Sequence, residues 1–298
     1  MFFSIVIPTF NRANLIEKTL NSVFRQSYSK FEILVIDNCS TDNTKEVLRP
    51  YIETGKIRFI EHEMNFERSK SRNTGMKFAK GDYVTFLDSD DLMGESCLGD
   101  IVEYMSKNEK LPDVLFNRHS YIDENGSIMS FFQPKIDIEN PFKQILIGNF
   151  LACIGVFISK KIYNNFRFHE DSVIIGSEDW LFWIEILNQE KTIRMIDKVN
   201  SFIVDHENRT MRNFDPIALE ERVSFIYNIL KTKLKLSEKE LKVFYKSSRI
   251  LIANGYFEAG ERRKALKIVA ITLIKYPLNM FNLRMLILIK NIFFNFKS

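Results

Sequence analysis

Four short runs rich in Ile, Val and Phe, at Ser4–Pro8, Phe31–Asp37, Ile57–Glu61 and Tyr83–Leu87, alternate with stretches in which apolar residues return at helical spacing. The runs read as strands. Between them, Leu15–Phe24 carries the helical pattern, Thr41–Tyr51 opens on the capping types Thr41 and Asp42, and Ser69–Ala79 is followed by Gly81, a residue type that ends helices. Strand, helix, strand repeated in this way predicts an α/β fold, a mixed and mostly parallel sheet flanked by helices with right-handed crossovers. Ligands of such sheets sit beyond the carboxyl ends of the strands, so the polar residues just after each strand are the ones to inspect.

From about Ile217 onward Pro and Gly thin out and helical periodicity takes over, near Leu219–Leu230, Glu238–Ala253, Arg262–Lys275 and Phe281–Phe293. A catalytic region over residues 1–215 followed by a helical region over 216–298 is the expected organisation. Gly255–Pro277, with Ala259, Ala265 and Ala270 between larger residues, has the look of one tetratricopeptide-style pair; a single copy favours plain helical packing. The net charge of +4 is uneven: from Leu241 to the end there are 11 Lys/Arg against two acids, Glu258 and Glu261, a surplus of +9 that leaves −5 for what precedes. The last helical stretch is strongly apolar and is interrupted by Arg284 and Lys290. It suits either docking on the preceding helices or lying in a membrane interface.

Three cysteines, Cys39, Cys97 and Cys153, are too few and too scattered for a disulfide framework or a metal cluster, which fits a reducing compartment. Strand-like residues begin at once with Phe2 and Phe3, with no basic segment leading into an apolar one. A cytoplasmic protein is expected, with peripheral contact at the inner membrane surface if the last helix lies there, and without a nucleic-acid partner.

The chemistry-bearing types cluster where the sheet argument places them. The first strand runs into Pro8-Thr9-Phe10-Asn11-Arg12 and the second into Asp37-Asn38-Cys39-Ser40-Thr41-Asp42; each alone also suits a helix entry. The fourth ends in Phe86-Leu87-Asp88-Ser89-Asp90-Asp91, three carboxylates within four residues directly after an apolar run. If strand geometry continues, Asp88 and Asp90 face one way. Mg2+ or Mn2+ takes one or two carboxylates plus phosphates and water, so a metal site is the reading here, against an acidic helix cap. Glu178-Asp179 precedes the aromatic run Trp180-Leu181-Phe182-Trp183. Asp179 beside low-dielectric surroundings suits a proton acceptor, while Glu178 orients it or meets an acceptor; both acids also complement a helix dipole. Ser201–Val204 leads into Asp205-His206-Glu207-Asn208-Arg209, where His206 is a candidate metal ligand and Arg209 a candidate grip on a diphosphate.

Taken in order, Ile5 to Arg12, Asp37 to Asp42, Arg72-Asn73-Thr74-Gly75, Phe86 to Asp91 and Glu178-Asp179-Trp180 resemble the family-two glycosyltransferases with the GT-A fold, over roughly Ser4–Arg212. That resemblance implies an inverting, nonprocessive transferase that takes a nucleotide-sugar, with a UDP-sugar expected, and passes the sugar to a glycan or lipid-linked glycan of a surface polysaccharide. It assigns Pro8, Thr9, Asn11, Arg12 and Asp37 to the nucleoside, Asn65 and Arg72 to the donor pocket, and Asp88 and Ser89 to the ribose side. It assigns Asp90 to the Mn2+ or Mg2+, with Asp88 at the ribose or a metal water, and Asp179 to the catalytic base; the residues themselves add His206 as a candidate metal ligand, Arg209 as a candidate grip on the diphosphate, and Glu178 and Trp180 on the acceptor side. Asn38 and Cys39 depart from the pattern, standing where many relatives carry an acid and a glycine or asparagine. A nucleotidylyltransferase would need a Gly-rich phosphate loop that Asn11-Arg12-Ala13-Asn14 does not supply, and no G-x-G-x-x-G follows a strand, which excludes a dinucleotide-dependent dehydrogenase. Processive synthases carry several spanning helices and a Q-x-x-R-W motif, whereas both tryptophans here lie in the acidic helix. A non-catalytic sugar-binding module remains the alternative, though binding alone requires neither a metal cluster nor a base.

Overall fold

The computed structural model describes residues 1–132, 139–206 and 215–294. In chain order the elements are β1 (Phe3–Thr9), α1 (Ile16–Phe24), β2 (Phe31–Asp37), α2 (Thr44–Glu53), β3 (Arg58–Glu61), α3 (Arg68–Phe78), β4 (Tyr83–Phe86), β5 (Leu92–Met93), α4 (Cys97–Ser106), β6 (Val114–Ile122) and β7 (Ile128–Phe132). There follow α5 (Pro141–Ile147), β8 (Val156–Ser159), α6 (Lys160–Asn165), α7 (Glu178–Leu187), β9 (Ile193–Val204), α8 (Pro216–Thr232), α9 (Glu238–Glu258), α10 (Arg262–Lys275) and α11 (Leu283–Phe294).

The sheet runs β3-β2-β1-β4-β8-β6-β9-β5, with β7 added to β6. The four strands expected from the sequence form its parallel half, β3-β2-β1-β4. Beyond β4 it becomes mixed: β8 is antiparallel to β4 and to β6, β9 is parallel to β6, and β5 is antiparallel to β9. The nearly continuous apolar character of β1 follows from its place between β2 and β4, where Phe3, Ile5, Val6 and Ile7 are all fully buried. A strand covered by helices on both faces has no solvated side for polar residues. Phe3 meets Phe157 of β8 edge to face at 5.8 Å, tying the parallel half to the mixed half.

One glycine sets the approach of a helix that matters later. A Cβ on Gly75 of α3 would lie 2.2 Å from Cγ1 of Val6. Only glycine lets α3 rest directly on β1, and this seats Arg72, one turn earlier, at the carboxyl edge of the sheet.

The described residues divide into two compact units. The first carries the sheet with α1–α4, α6 and α7; the second gathers most of α5, the segment 171–177 and α8–α11. In the second unit α8 starts on Pro216 with Asp215 accepting from the Ile217 amide at 2.8 Å, and α9 starts on a reciprocal cap between Ser237 and Glu240. No helix among the described residues is long and apolar enough to cross a membrane.

Candidate functional site

Register brings the strand ends together. Thr9 pairs with Asp37 and Asp37 with Glu61, while Val6 pairs with Phe86, so the loops after β1, β2, β3 and β4 open on one edge. The first two loops are stitched to one another. Asn11 and Cys39 adopt the left-handed region, with φ of 52° and 66°. The Asn11 carboxamide oxygen accepts from the amides of Thr41 at 2.8 Å and Asp42 at 3.3 Å, and the Asn11 amide donates to the Ser40 hydroxyl at 2.9 Å. Asp37 is buried and its carboxylate accepts from the Ser40 amide at 3.0 Å and the Ser40 hydroxyl at 2.5 Å. Pro8 and Thr9 are buried at the strand end, and the Thr9 hydroxyl has no hydrogen-bond partner among the described residues. That is an orphan polar group facing the edge where the sequence expects a nucleoside.

Asn38, a departure from the family pattern, is the hub of the third loop. Its Nδ2 donates to Asn65 Oδ1 at 2.7 Å and to the Phe66 carbonyl, its Oδ1 accepts from the Phe66 amide at 3.0 Å, and the His62 ring closes on the same oxygen at 3.0 Å. An aspartate there would accept but not donate, so the amide is what fixes Asn65.

The acidic turn after β4 is divided among four partners. Asp91 is buried and accepts from the Val204 amide at 3.0 Å, which commits it to holding β9. Asp90 lies 3.2 Å from the Arg12 guanidinium and 3.1 Å from Nε2 of His206. Asp88 accepts from Arg72 Nη2 at 3.0 Å. Ser89 between them is buried. Burial pushes the Asp88 carboxyl up, but the charges of Arg72, Arg68 and Arg12 together with the Arg72 hydrogen bond hold it below the ordinary carboxylate value.

The other end of Arg72 reaches α7. Its Nη1 lies 2.9 Å from Glu178 Oε1, and Arg68 adds a second cation at 3.6 Å. Arg72 is 2% exposed and Glu178 is 3% exposed, so this is a buried pair. Burial works against the guanidinium charge, yet the surrounding acids Asp88, Glu178 and Asp179 hold its proton far above the ordinary range. Its flat face lies 5.4 Å over Phe168, which stacks on Phe182 of α7 at 3.9 Å. Next door Asn73 donates to the Phe168 carbonyl at 2.9 Å and accepts from its amide at 2.8 Å, clamping that segment to α3. Asp179, half-buried, accepts from the Trp180 amide at 2.7 Å. The Cys153 thiol, pushed well up by burial, lies within electrostatic reach of Arg72, Asp179, Asp88 and Glu178.

The structure therefore brings Arg12, Arg72, Asp88, Asp90, Glu178, Asp179 and His206 into one network, with Thr9, Asn11, Asp37 and Asn65 on the adjoining loops. Two expected acceptor contacts sit differently: Glu178 is turned inward onto Arg72, and Trp180 is 4% exposed, leaving no ring face for a sugar. Arg209 lies outside the described residues. Arg68, Phe168 and Cys153 belong to the network without any motif having marked them.

A profile of the glycosyl transferase family 2 matches residues 4–167. The chain belongs to that family. Its fold is shared with GT-A glycosyltransferases of known structure. The Staphylococcus aureus TarS fragment 1–349 in complex with UDP-GlcNAc superposes with a TM-score of 0.60 at 21% identity, over 86% of this chain and 81% of that one. A Pyrobaculum calidifontis mannosyltransferase in complex with GDP-Man and Mn2+ gives 0.57 at 15% identity, over 99% and 88%. Among family relatives, the Escherichia coli enzyme WfgD, a UDP-Glc:alpha-D-GlcNAc-diphosphoundecaprenol beta-1,3-glucosyltransferase, is 29% identical over 62% of this chain and 69% of its own length.

For this family-2 chain the fit of a divalent ion is decided by the donor set. Among the described residues no group of three or more His, Cys, Asp and Glu gathers into a cage. Two carboxylates, Asp88 and Asp90, face the strand edge with exposed oxygen, the side chains being 37% and 16% exposed. Mn2+ and Mg2+ bound largely through substrate phosphates and water need no more from the protein, so the residues present fit such an ion when it arrives with a diphosphate.

Proposed function

We propose that this family-2 chain is an inverting glycosyltransferase that moves a sugar from a UDP-sugar to a hydroxyl of a glycan or lipid-linked glycan in surface polysaccharide assembly, working at the cytoplasmic face of a membrane. The observation that carries the reading is the Arg72 bridge. It ties Asp88, at the end of β4, to Glu178, and so fixes the start of α7, where Asp179 follows, against the donor edge of the sheet. Support for the donor class comes from the UDP-GlcNAc complex of TarS, and for the acceptor class from the diphosphoundecaprenol substrate in the name of WfgD.

In this reading Pro8, Thr9, Asn11, Arg12, Asp37 and Asn65 hold the nucleoside, with the unpartnered Thr9 hydroxyl free to bond it. Asp88 and Ser89 face the ribose. Asp90 and Asp88 would hold Mn2+ or Mg2+, with His206 supporting Asp90, and the bound ion would supply neutralisation of charge on the diphosphate. Asp179 takes the proton of the acceptor hydroxyl as that oxygen forms its bond to the anomeric carbon. The bond to the diphosphate breaks on the opposite face with its electron pair leaving on phosphate oxygen, and Arg209 is the cation proposed to balance that charge. One displacement inverts the centre. Glu178 acts from behind, holding Arg72 and the helix that carries the base.

The test is Asp179→Asn, assayed for sugar transfer and, separately, for UDP binding by calorimetry. Transfer is expected to fall by a factor on the order of 100 to 10,000, the range of one general base, with binding unchanged. Near-normal transfer would remove Asp179 from the chemistry.

A further inference from the structure

The C-terminal helical unit carries a second apolar surface that its own packing does not use. Helix α11 buries Met285, Leu288 and Ile292 inward. Yet Leu283, Leu286, Ile287 and Phe293, which recur at helical spacing on another face, are 70%, 47%, 49% and 57% exposed. On α10 and just beyond it Ile271, Ile274 and Leu278 form a matching stripe, 45%, 81% and 77% exposed. Between the helices Met280 and Phe281 are 52% and 74% exposed. Ile274, Leu278, Phe281 and Leu283 are the four most exposed large hydrophobic side chains among the described residues, and they lie within ten positions of one another.

Charge decides what covers them. From Arg262 to the end the chain has eight Lys/Arg and no acid. Lys267 and Lys275 fall on the α10 stripe and Lys290 on the α11 stripe, all exposed. A second copy docked face to face would set these lysines against themselves. Side chains that stand clear of their own unit by 70% or more suit a fluid phase rather than a shaped pocket. Apolar groups ringed by lysine are what an anionic bilayer surface takes up, the rings and branched chains entering the acyl boundary and the ammonium groups meeting phosphate.

We propose that the end of α10, the turn through Phe281 and the start of α11 dock on an anionic phospholipid surface. This deepens the lipid-linked acceptor reading above by giving the enzyme a seat where such an acceptor lies, but it needs neither donor nor acceptor to be tested.

The full chain is sedimented with vesicles of phosphatidylcholine alone and of phosphatidylcholine mixed with phosphatidylglycerol, and UDP binding is measured on every variant as a check independent of the membrane. Wild type is expected to pellet with the anionic vesicles only. Lys267→Gln, Lys275→Gln and Lys290→Gln together should weaken partitioning roughly fivefold per lysine, on the order of 100-fold in all. Leu278→Ser with Phe281→Ser should abolish it, with UDP binding retained. Phe281→Trp, which keeps the surface apolar, should show a blue-shifted emission when anionic vesicles are added. Absence of wild-type binding to anionic vesicles overturns the proposal, as does equal binding to both vesicle types by wild type and the lysine variant. A stable dimer that Leu278→Ser and Phe281→Ser convert to monomer, with no vesicle binding, assigns the surface to a second copy and also overturns it. Loss of UDP binding in wild type would instead strike the transferase reading and leave this one standing.

Discussion

Replacing Arg72 by Met removes the guanidinium that lies 2.9 Å from Glu178 and 3.0 Å from Asp88. Asp88 keeps solvent at its exposed side, whereas Glu178 is 3% exposed and loses its nearest cation, with Arg68 standing farther off at 3.6 Å. Breaking a buried pair by deleting one member costs about 3–5 kcal/mol, because the remaining charge has lost both water and its partner. For a unit of this size each kcal/mol moves the melting point by roughly 2–4 °C, so a drop of about 6–20 °C is expected. Changing Glu178 to Leu in the same protein removes the buried carboxylate and should recover most of that loss, since an apolar pair of similar volume often replaces a buried ion pair at little cost. The assay is thermal unfolding followed by circular dichroism, on wild type, Arg72→Met, Glu178→Leu and the double variant, closed as a cycle. An Arg72→Met variant that melts within about 2 °C of wild type, or a double variant no more stable than the single, would mean that the pair is not what holds α7 to the sheet. Transfer should stay low in the double variant even where stability returns, because Asp88 has still lost its cation.

Acid unfolding should reflect Asp88. Its folded carboxyl is held below the ordinary value, so its contribution is present above the unfolded value of about 3.9 and is lost as pH falls through the lower folded value; Asp88→Asn should flatten stability against pH in that window. Thiol titration of the native protein should find one fast group. Burial pushes Cys97 up to about 12 and Cys153 well above its ordinary value, while Cys39 is part-exposed in its loop, so two of the three should react only on unfolding. Gly75→Ala should cost about 1–3 kcal/mol or more by forcing α3 away from Val6, read as a lower melting point with weakened UDP binding.

The parallel half of the fold was legible because each of its elements has a local signal. Phe31–Asp37 falls at the residues that the pattern marks and Gly81 follows α3, and in the second unit Arg262–Lys275 likewise falls where periodicity puts a helix. The mixed half was not, and the cause is physical. β5 has two residues, too few for a period, and β8 has four, whose partner Tyr83 lies far back in the chain. Pairings of that separation leave no local trace in the residues that make them. The site divides in the same way. The acidic turn and Glu178-Asp179 are visible because carboxylates beside apolar runs are costly without a purpose. That Arg72 would join Asp88 to Glu178 was not visible, because 106 positions separate the arginine from the glutamate. Asn38 read as a departure from pattern, and only the loop geometry reveals the amide that Asn65 and Phe66 require.

Calorimetric titration of UDP into wild type and Asp90→Ala, each with and without Mn2+, tests whether the acidic turn after β4 serves a nucleotide-sugar donor. Wild type should bind UDP, and more tightly with Mn2+, whereas Asp90→Ala should lose that gain while its fold is kept. UDP that fails to bind wild type under either condition, or Mn2+ enhancement that survives in Asp90→Ala, would contradict that role.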